Sequence, residues 1–346
     1  MLRIKSVAVL SVLAIALVLT GCNRKDRQQR AAFFTDRLNP YTPILNQGHK
    51  STCWVYAMLA TIETEHLGKG DSVHLSPFYA ERQLLAECAT QAYLSQNHFK
   101  FTVRGMASRL IRLIETHGIM PYDAYRYGES VNTTVLSRKV KQSVKASVQS
   151  RTGLTVCMER ANALLDYSLG PCPPHVFMLG AQYTPQEFAR SVCAPDEYES
   201  LTSFTHHPFY SSFVLEVPDN VDRDLFYNVP LDTLVQRIAE SVMHGHGVCW
   251  EGDISEHGFS FSRGVADVSK GTSVSTSARQ QEFEHYQTTD DHCMAIVGLA
   301  HDSKGRRFFI MKNSWGTHNP YGGLMYVSED YVRLKTIAVY IPHNRR

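Results

Sequence analysis

The stretch from Asn46 to Gly68, NQGHKSTCWVYAMLATIETEHLG, constrains the fold more than any other part of the chain. From Cys53 onward Val55, Leu59 and Ile62 recur at helical spacing, and Gly68 stands where such a helix stops. This pattern predicts a buried helix with Cys53 in its first turn, so the rest of the chain has to wrap around it. Free amide groups and the positive end of the helix dipole favour thiolate over thiol there. A buried structural thiol is the plain alternative, since free cysteine is among the most buried residue types. The neighbours favour chemistry: Gln47, six residues before Cys53, can share a tetrahedral oxyanion with the backbone amide of Cys53.

The string Gln47, Cys53-Trp54 and a long apolar helix resembles the active-site segment of papain-like cysteine peptidases. That resemblance implies a second half of the site far downstream. His292 opens the apolar run HCMAIVGLAHD, and Asn313 lies in FFIMKNSWG, both similar to the family's His and Asn segments. The resemblance implies that Cys53 is the nucleophile, His292 the general base and then acid, Asn313 the residue that orients the imidazole, and Gln47 the oxyanion donor. Trp54 and Trp315 would support them, Trp315 by shielding the His–Asn hydrogen bond from water. It also implies an α+β papain-like fold, with a helical left half, a β-barrel-like right half and the site in the cleft between them. The reaction implied is acyl transfer from peptide or protein substrates, with no metal or organic cofactor.

At 346 residues the chain is long enough for a sizeable core, and its net charge of +2 gives no reason to expect nucleic acid as a partner. Basic runs such as NRKDRQQR and SRKVKQSVK read as a tether and a solvated face. Residues 1–22 carry Arg3 and Lys5, an apolar run from Val7 to Leu19, then Leu19-Thr20-Gly21-Cys22. The run falls short of the about 20 residues a membrane span needs. The segment resembles a bacterial lipoprotein signal, with Cys22 lipidated, which implies a lipid-anchored protein of the cell envelope, periplasmic or at the cell surface. Residues 23–37 then read as a polar tether, and residues 38–346 as the peptidase domain. The tether leaves no room for a long inhibitory prosegment.

Export would place the remaining cysteines, Cys88, Cys157, Cys172, Cys193, Cys249 and Cys293, in an oxidising compartment. Cys249 and Cys293 lie in apolar runs and read as buried thiols, whereas Cys157, Cys172 and Cys193 are candidates for one disulfide. His206-His207 and His244-Gly245-His246 lack partners at metal-ligand spacing, so no zinc site is expected.

Along the chain, Ser76-Pro77 starts a helix expected to reach about Ala89, and GMASRLIRLIETHG forms another that Gly118 stops. An insertion from about 130 to 218 holds a basic helix near Lys139, a helix in MERANALLDYSLG, and a capping box at Thr184 to Glu187. With YNVPLDTLVQRIAESVMHGHGVCWEGDI it is similar to the bleomycin hydrolase, or aminopeptidase C, branch. GVCWEG, HCMAIVGLA, RRFFIMKNS, GGLMYVS and TIAVYI read as strands, and Ser260 to Thr289 as a long polar loop. Asp290 and Asp291, just before His292, are expected to face solvent.

Two departures from the family pattern bear on specificity. Ser51 stands where the family has glycine, adding a hydroxymethyl beside the channel. The ending IPHNRR lacks the tail whose terminal carboxylate would hold a substrate's amino end, so aminopeptidase against endopeptidase stays open. The competing classes are a non-peptidase acyltransferase using the same triad and a catalytically silent surface-binding lipoprotein.

Overall fold

The computed structural model describes residues 33–343 apart from 127–130, 179 and 195. The signal segment, Cys22 and most of the tether lie outside the described residues. The tether reading does not hold at its far end. Residues Phe33–Leu38 form strand β1, which pairs along the strand that carries His292. Gly298 allows this approach, because a Cβ there would meet the Arg37 carbonyl oxygen at 2.5 Å.

The first half is helical. Helix α1, Cys53–Gly68, is buried from Trp54 to His66, so every face of it meets protein. Helix α2, Pro77–Leu94, starts on the Ser76 side-chain cap with proline at its first position and runs one turn past the expected end. Helix α3, Ala107–His117, shows Leu110, Leu113 and Ile114 to the core and stops at Gly118. Gly118 has φ +78°, and a Cβ on it would lie 2.2 Å from the backbone of Pro185, so only glycine lets the insertion dock there.

The insertion is part of the same body. Helices α4, Thr133–Gln149, and α5, Leu154–Leu169, pack on α2, and their Leu136, Val140, Val144, Ala161 and Leu165 join the core of the helical half. A short hairpin, β2 Val176–Met178 with β3 Ala181–Tyr183, leads to α6, Pro185–Val192, which carries the expected capping box. Strands β4, Tyr198–Thr202, and β5, Ser212–Val214, then extend the main sheet at one edge.

The second half is that sheet. It adds β6 Leu225–Asn228, helix α7 Leu231–Met243, and β7 Val248–Gly252. Next come β8 Phe259–Ser260, β9 Val265–Ala266 and helix α8 Thr276–Glu284. It closes with β10 His292–Asp302, β11 Arg307–Lys312, β12 Leu324–Ser328, helix α9 Glu329–Lys335 and β13 Thr336–Pro342. Among the described residues the strand order is β5-β6-β4-β13-β7-β10-β11-β12-β9-β8. The expected loop from Ser260 to Thr289 is corrected by this: it holds β9 and α8. Ser275 caps α8, and buried Arg279 anchors it by donating to the carbonyls of Ser203, Arg333 and Leu334.

Side chains alternate across the sheet, so β7, β10 and β13 serve two cores at once. Cys249, Cys293 and Tyr340 face α1, while Val248, Trp250, Met294, Ile296, Val339 and Ile341 face α7. Among the described residues no helix is long and apolar enough to cross a membrane.

Candidate active site

The two halves of the site come from opposite sides of this arrangement. Cys53 is the first residue of α1, so its N–H has no intrahelical acceptor, and its half-buried thiol lines an open cleft. His292 is the first residue of β10, and antiparallel pairing of Ala295 with Lys312 brings the end of β11 back beside it. Asn313, one residue past β11, therefore stands next to the imidazole.

His292 Nε2 lies 2.8 Å from Asn313 Oδ1, and both residues are buried. The amide orientation is set by Ser314, whose N–H donates to the same Oδ1 at 2.7 Å. Oδ1 is thus an acceptor, His292 Nε2 carries the hydrogen, and Nδ1 is left free of Asn313 on a ring that shares the cleft with Cys53. Trp315 covers this pair, its ring centroid 4.8 Å from that of His292, and Phe259 and Phe261 pack edge-on against Trp315. Trp54 is placed differently: it is buried, and its indole N–H donates to the Val103 carbonyl at 3.2 Å, tying the loop before α3 to the central helix.

Gln47 reaches the cleft because the segment around Asn46 bridges to Trp315, just past Asn313. Gln47 N–H donates to the Ser314 carbonyl at 2.8 Å, and Gly316 N–H to that of Leu45 at 3.1 Å. Ser314 Oγ donates to Gln47 Oε1, and Gln47 Nε2 donates to the Lys50 carbonyl at 2.7 Å, so the amide nitrogen faces the cleft side. Behind this loop Lys50 meets Glu81 at 3.2 Å and Thr52 Oγ1 donates to Glu81 at 2.6 Å. Ser51, exposed, lines the cleft.

A hydrogen bond from Cys293 lowers the Cys53 pKa well below that of an ordinary thiol. Burial opposes this, and the hydrogen bond and charge of His292 add to it. Burial works against the imidazolium of His292, yet its hydrogen bond and charge interaction with Cys53, together with Asn313, raise its pKa. Both shifts favour a thiolate on Cys53 and an imidazolium on His292.

Sequence reasoning missed the cleft's charged wall. Arg104 Nε donates to Asp219 Oδ1 at 2.6 Å and Nη2 donates to the Asp290 carbonyl at 3.3 Å, while Asp219 N–H donates to Asp290 Oδ2 at 3.0 Å. These residues lie far apart in the chain and carry no motif. The solvent reading of Asp290 is corrected: it is buried, and burial, followed by the Asp219 charge, pushes its pKa up to about 7. Asp291 is exposed, with Oδ1 accepting from Ile254 N–H at 2.9 Å.

The disulfide expected among Cys157, Cys172 and Cys193 is also corrected, because all three are free thiols. Cys157 and Cys193 face the core of the helical half, where each packs against hydrocarbon. His206 and His207, without partners in sequence, meet Glu216, and the potential ligand atoms lie within 4.8 Å of one another. Gln280 donates to His206 Nδ1 at 3.0 Å with its oxygen taken by Thr205 N–H at 2.7 Å, so His206 Nε2 holds the hydrogen that points at Glu216.

Residues 176–344 match the model of the Peptidase C1-like family. PepW from Lactobacillus rhamnosis HN001 is similar in structure at a TM-score of 0.65 and 18% identity, over 89% of this chain and 81% of that one. The bromelain protease from Ananas comosus, solved with the E64 inhibitor, aligns at a TM-score of 0.43 and 15% identity, over 87% and 93% of the two chains. No curated protein matches the chain by sequence. The fold is papain-like.

Proposed function

We propose that this protein hydrolyses peptide bonds through Cys53, His292 and Asn313, with Gln47 as oxyanion donor. The observation that carries the proposal is the ordered pair itself: His292, held at 2.8 Å by Asn313, lines one open cleft together with Cys53 at the start of its helix. The Cys53 sulfur attacks the peptide carbonyl, and the Cys53 N–H and the Gln47 amide receive the oxyanion. His292, already protonated, gives its proton to the leaving amine. It then takes one from the water that cleaves the thioester.

Substrates are peptides or proteins, and the insertion and the α7–β7 region favour the bleomycin hydrolase branch. Anchoring through an acylated Cys22 at the bacterial cell envelope belongs to the same proposal, supported by the lipoprotein-like sequence of residues 1–22.

The test is labelling with an epoxide inhibitor of papain-like enzymes, comparing the wild type with Cys53→Ala, alongside peptides with free and blocked amino ends. Labelling and turnover confined to the wild type are expected. No labelling and no turnover in either protein would favour the silent binding lipoprotein. Cleavage of blocked peptides would exclude a strict aminopeptidase. Mass spectrometry of the native protein checks the anchor: an unacylated Cys22 removes it.

A further inference from the structure

A second cavity opens beside the cleft, and no step above uses it. It encloses about 500 Å³ between the segment that follows β5 and the end of α8. Pro218 and Asp290 line it, while their chain neighbours Asp219 and Asp291 line the catalytic cleft. The Asp219 N–H donates to Asp290 Oδ2 at 3.0 Å, so these two segments are tied together as a partition between the cavities. Neighbouring Cα atoms lie about 3.8 Å apart, so a peptide in the cleft reaches the second cavity within a few residues.

The walls of this cavity are apolar and its rim is acidic. Phe283 is fixed by its neighbours, its ring 4.1 Å from that of buried Phe204 and stacked at 5.6 Å on that of His206. Val217 and Pro218 add hydrocarbon from the other segment. Glu216 and Glu284 stand exposed in the lining, which among the described residues holds no lysine or arginine. Gln280 Nε2 orients Glu284 by donating to its Oε1 at 2.9 Å. The same nitrogen donates to His206 Nδ1 at 3.0 Å, which keeps that ring neutral where its Nε2 faces Glu216. His207 Nε2 lies 2.7 Å from the other Glu216 oxygen.

Tyr286, also in the lining, is the unusual member. It follows the C-cap of α8 with φ +58°, a left-handed conformation that helix ends ordinarily give to glycine, and it is 86% exposed. A tyrosine there costs backbone strain and gains little packing, so the fold by itself does not account for it.

We propose that this cavity is a remote subsite that takes a lysine or arginine side chain of the peptide substrate. The aliphatic stem lies along Phe283, Val217 and Pro218, and the cationic head meets Glu284, Glu216 and the face of Tyr286. The two carboxylates repel an acidic side chain, and a purely apolar one leaves their charge unanswered.

The proposal rests on the peptidase reading for its substrate, so the experiment measures binding apart from turnover. Short end-blocked peptides with one lysine moved through every position, and a matching set with norleucine, are titrated by calorimetry into the full chain carrying Cys53→Ala. At one position lysine should bind about 10-fold more tightly than norleucine, the combined effect of an exposed cation–π contact and an exposed ion pair, and arginine should match it. In the same background Glu284→Gln keeps the Gln280 hydrogen bond and loses the charge, whereas Tyr286→Gly keeps the left-handed turn and loses the ring. Each should cut the lysine preference to about 3-fold or less, with the norleucine peptide bound as before in Glu284→Gln. Both side chains are exposed, so both variants should melt within a few degrees of the parent. Equal binding of lysine and norleucine at every position, or a lysine preference that both variants retain, would overturn the proposal. If the wild type cleaves none of these peptides while the preference persists, the peptidase reading ends and the cavity stands as a site for basic side chains.

Discussion

The two faces of the β7–β10 ladder differ in chemistry although they are one residue apart along the same strands. Toward α7, Val248, Trp250, Met294 and Ile296 form hydrocarbon packing, and the one polar atom of Trp250 donates to Thr336 Oγ1 at 2.7 Å. Toward α1 stand Cys249, Glu251 and Cys293, two thiols and a carboxyl, against the helix that begins with Cys53. Polar groups in such a place are costly unless paired, and here Glu251 accepts the Ala107 N–H at 2.7 Å. One face holds the sheet together and the other supplies the site, so register decides which residues do which. A slip of one position would exchange them.

Mutations separate the two faces. The largest effect should come from Cys53→Ala, which removes the nucleophile; peptide turnover should fall by at least about 1,000-fold with thermal stability nearly unchanged. Retained turnover would end the peptidase reading. On the other face, Trp250→Ala should cost about 3–5 kcal/mol of stability by denaturant unfolding, because a fully buried indole leaves a cavity. If the folded fraction also lost most of its turnover per molecule, the division between the faces would not hold.

Asn313→Ala should be intermediate. The imidazole loses its 2.8 Å partner while its charge partner stays, so kcat should drop by about 10- to 100-fold with KM little changed. The pH profile of kcat/KM sharpens the same point. Activity should rise as Cys53 ionises, at a pH below that of an ordinary thiol, and fall as His292 loses its proton, above the ordinary histidine value.

The smallest effect lies at the entry to β10. The Asp290 carboxyl holds a proton up to about pH 7, whereas in the unfolded chain it loses it near 3.8. Between those values the folded state binds the extra proton, so this group lowers stability as pH rises. Asp290→Asn abolishes that titration. Its melting temperature relative to wild type should therefore increase from pH 5 to pH 8, by a few degrees. A gap that shrinks over that range would place Asp290 in a different environment.

Local pattern made much of this protein legible. The apolar run after Cys53, the Ser76-Pro77 start, the Gly118 stop and the capping box at Thr184 each fall where the sequence puts them, because caps and helical periodicity are properties of neighbouring residues. The residues expected to form the triad are brought together as well. Less was readable between Ser260 and Thr289, where α8 owes its place to Arg279 reaching carbonyls on distant strands and helix ends. Nor did any local signal show Arg104, Asp219 and Asp290 meeting across 186 positions.

What the amino-acid order determined by itself is the set of reactive groups and the local elements that carry them: a thiol at a helix start, an imidazole at a strand start, a carboxamide after another strand. Tertiary structure alone decided their company. Whether a strand residue meets one core or the other depends on which face it turns to and in what register its neighbours pair. Those long-range choices are made by burial of the whole sheet, so Cys293 and Met294, adjacent in the chain, end in separate cores.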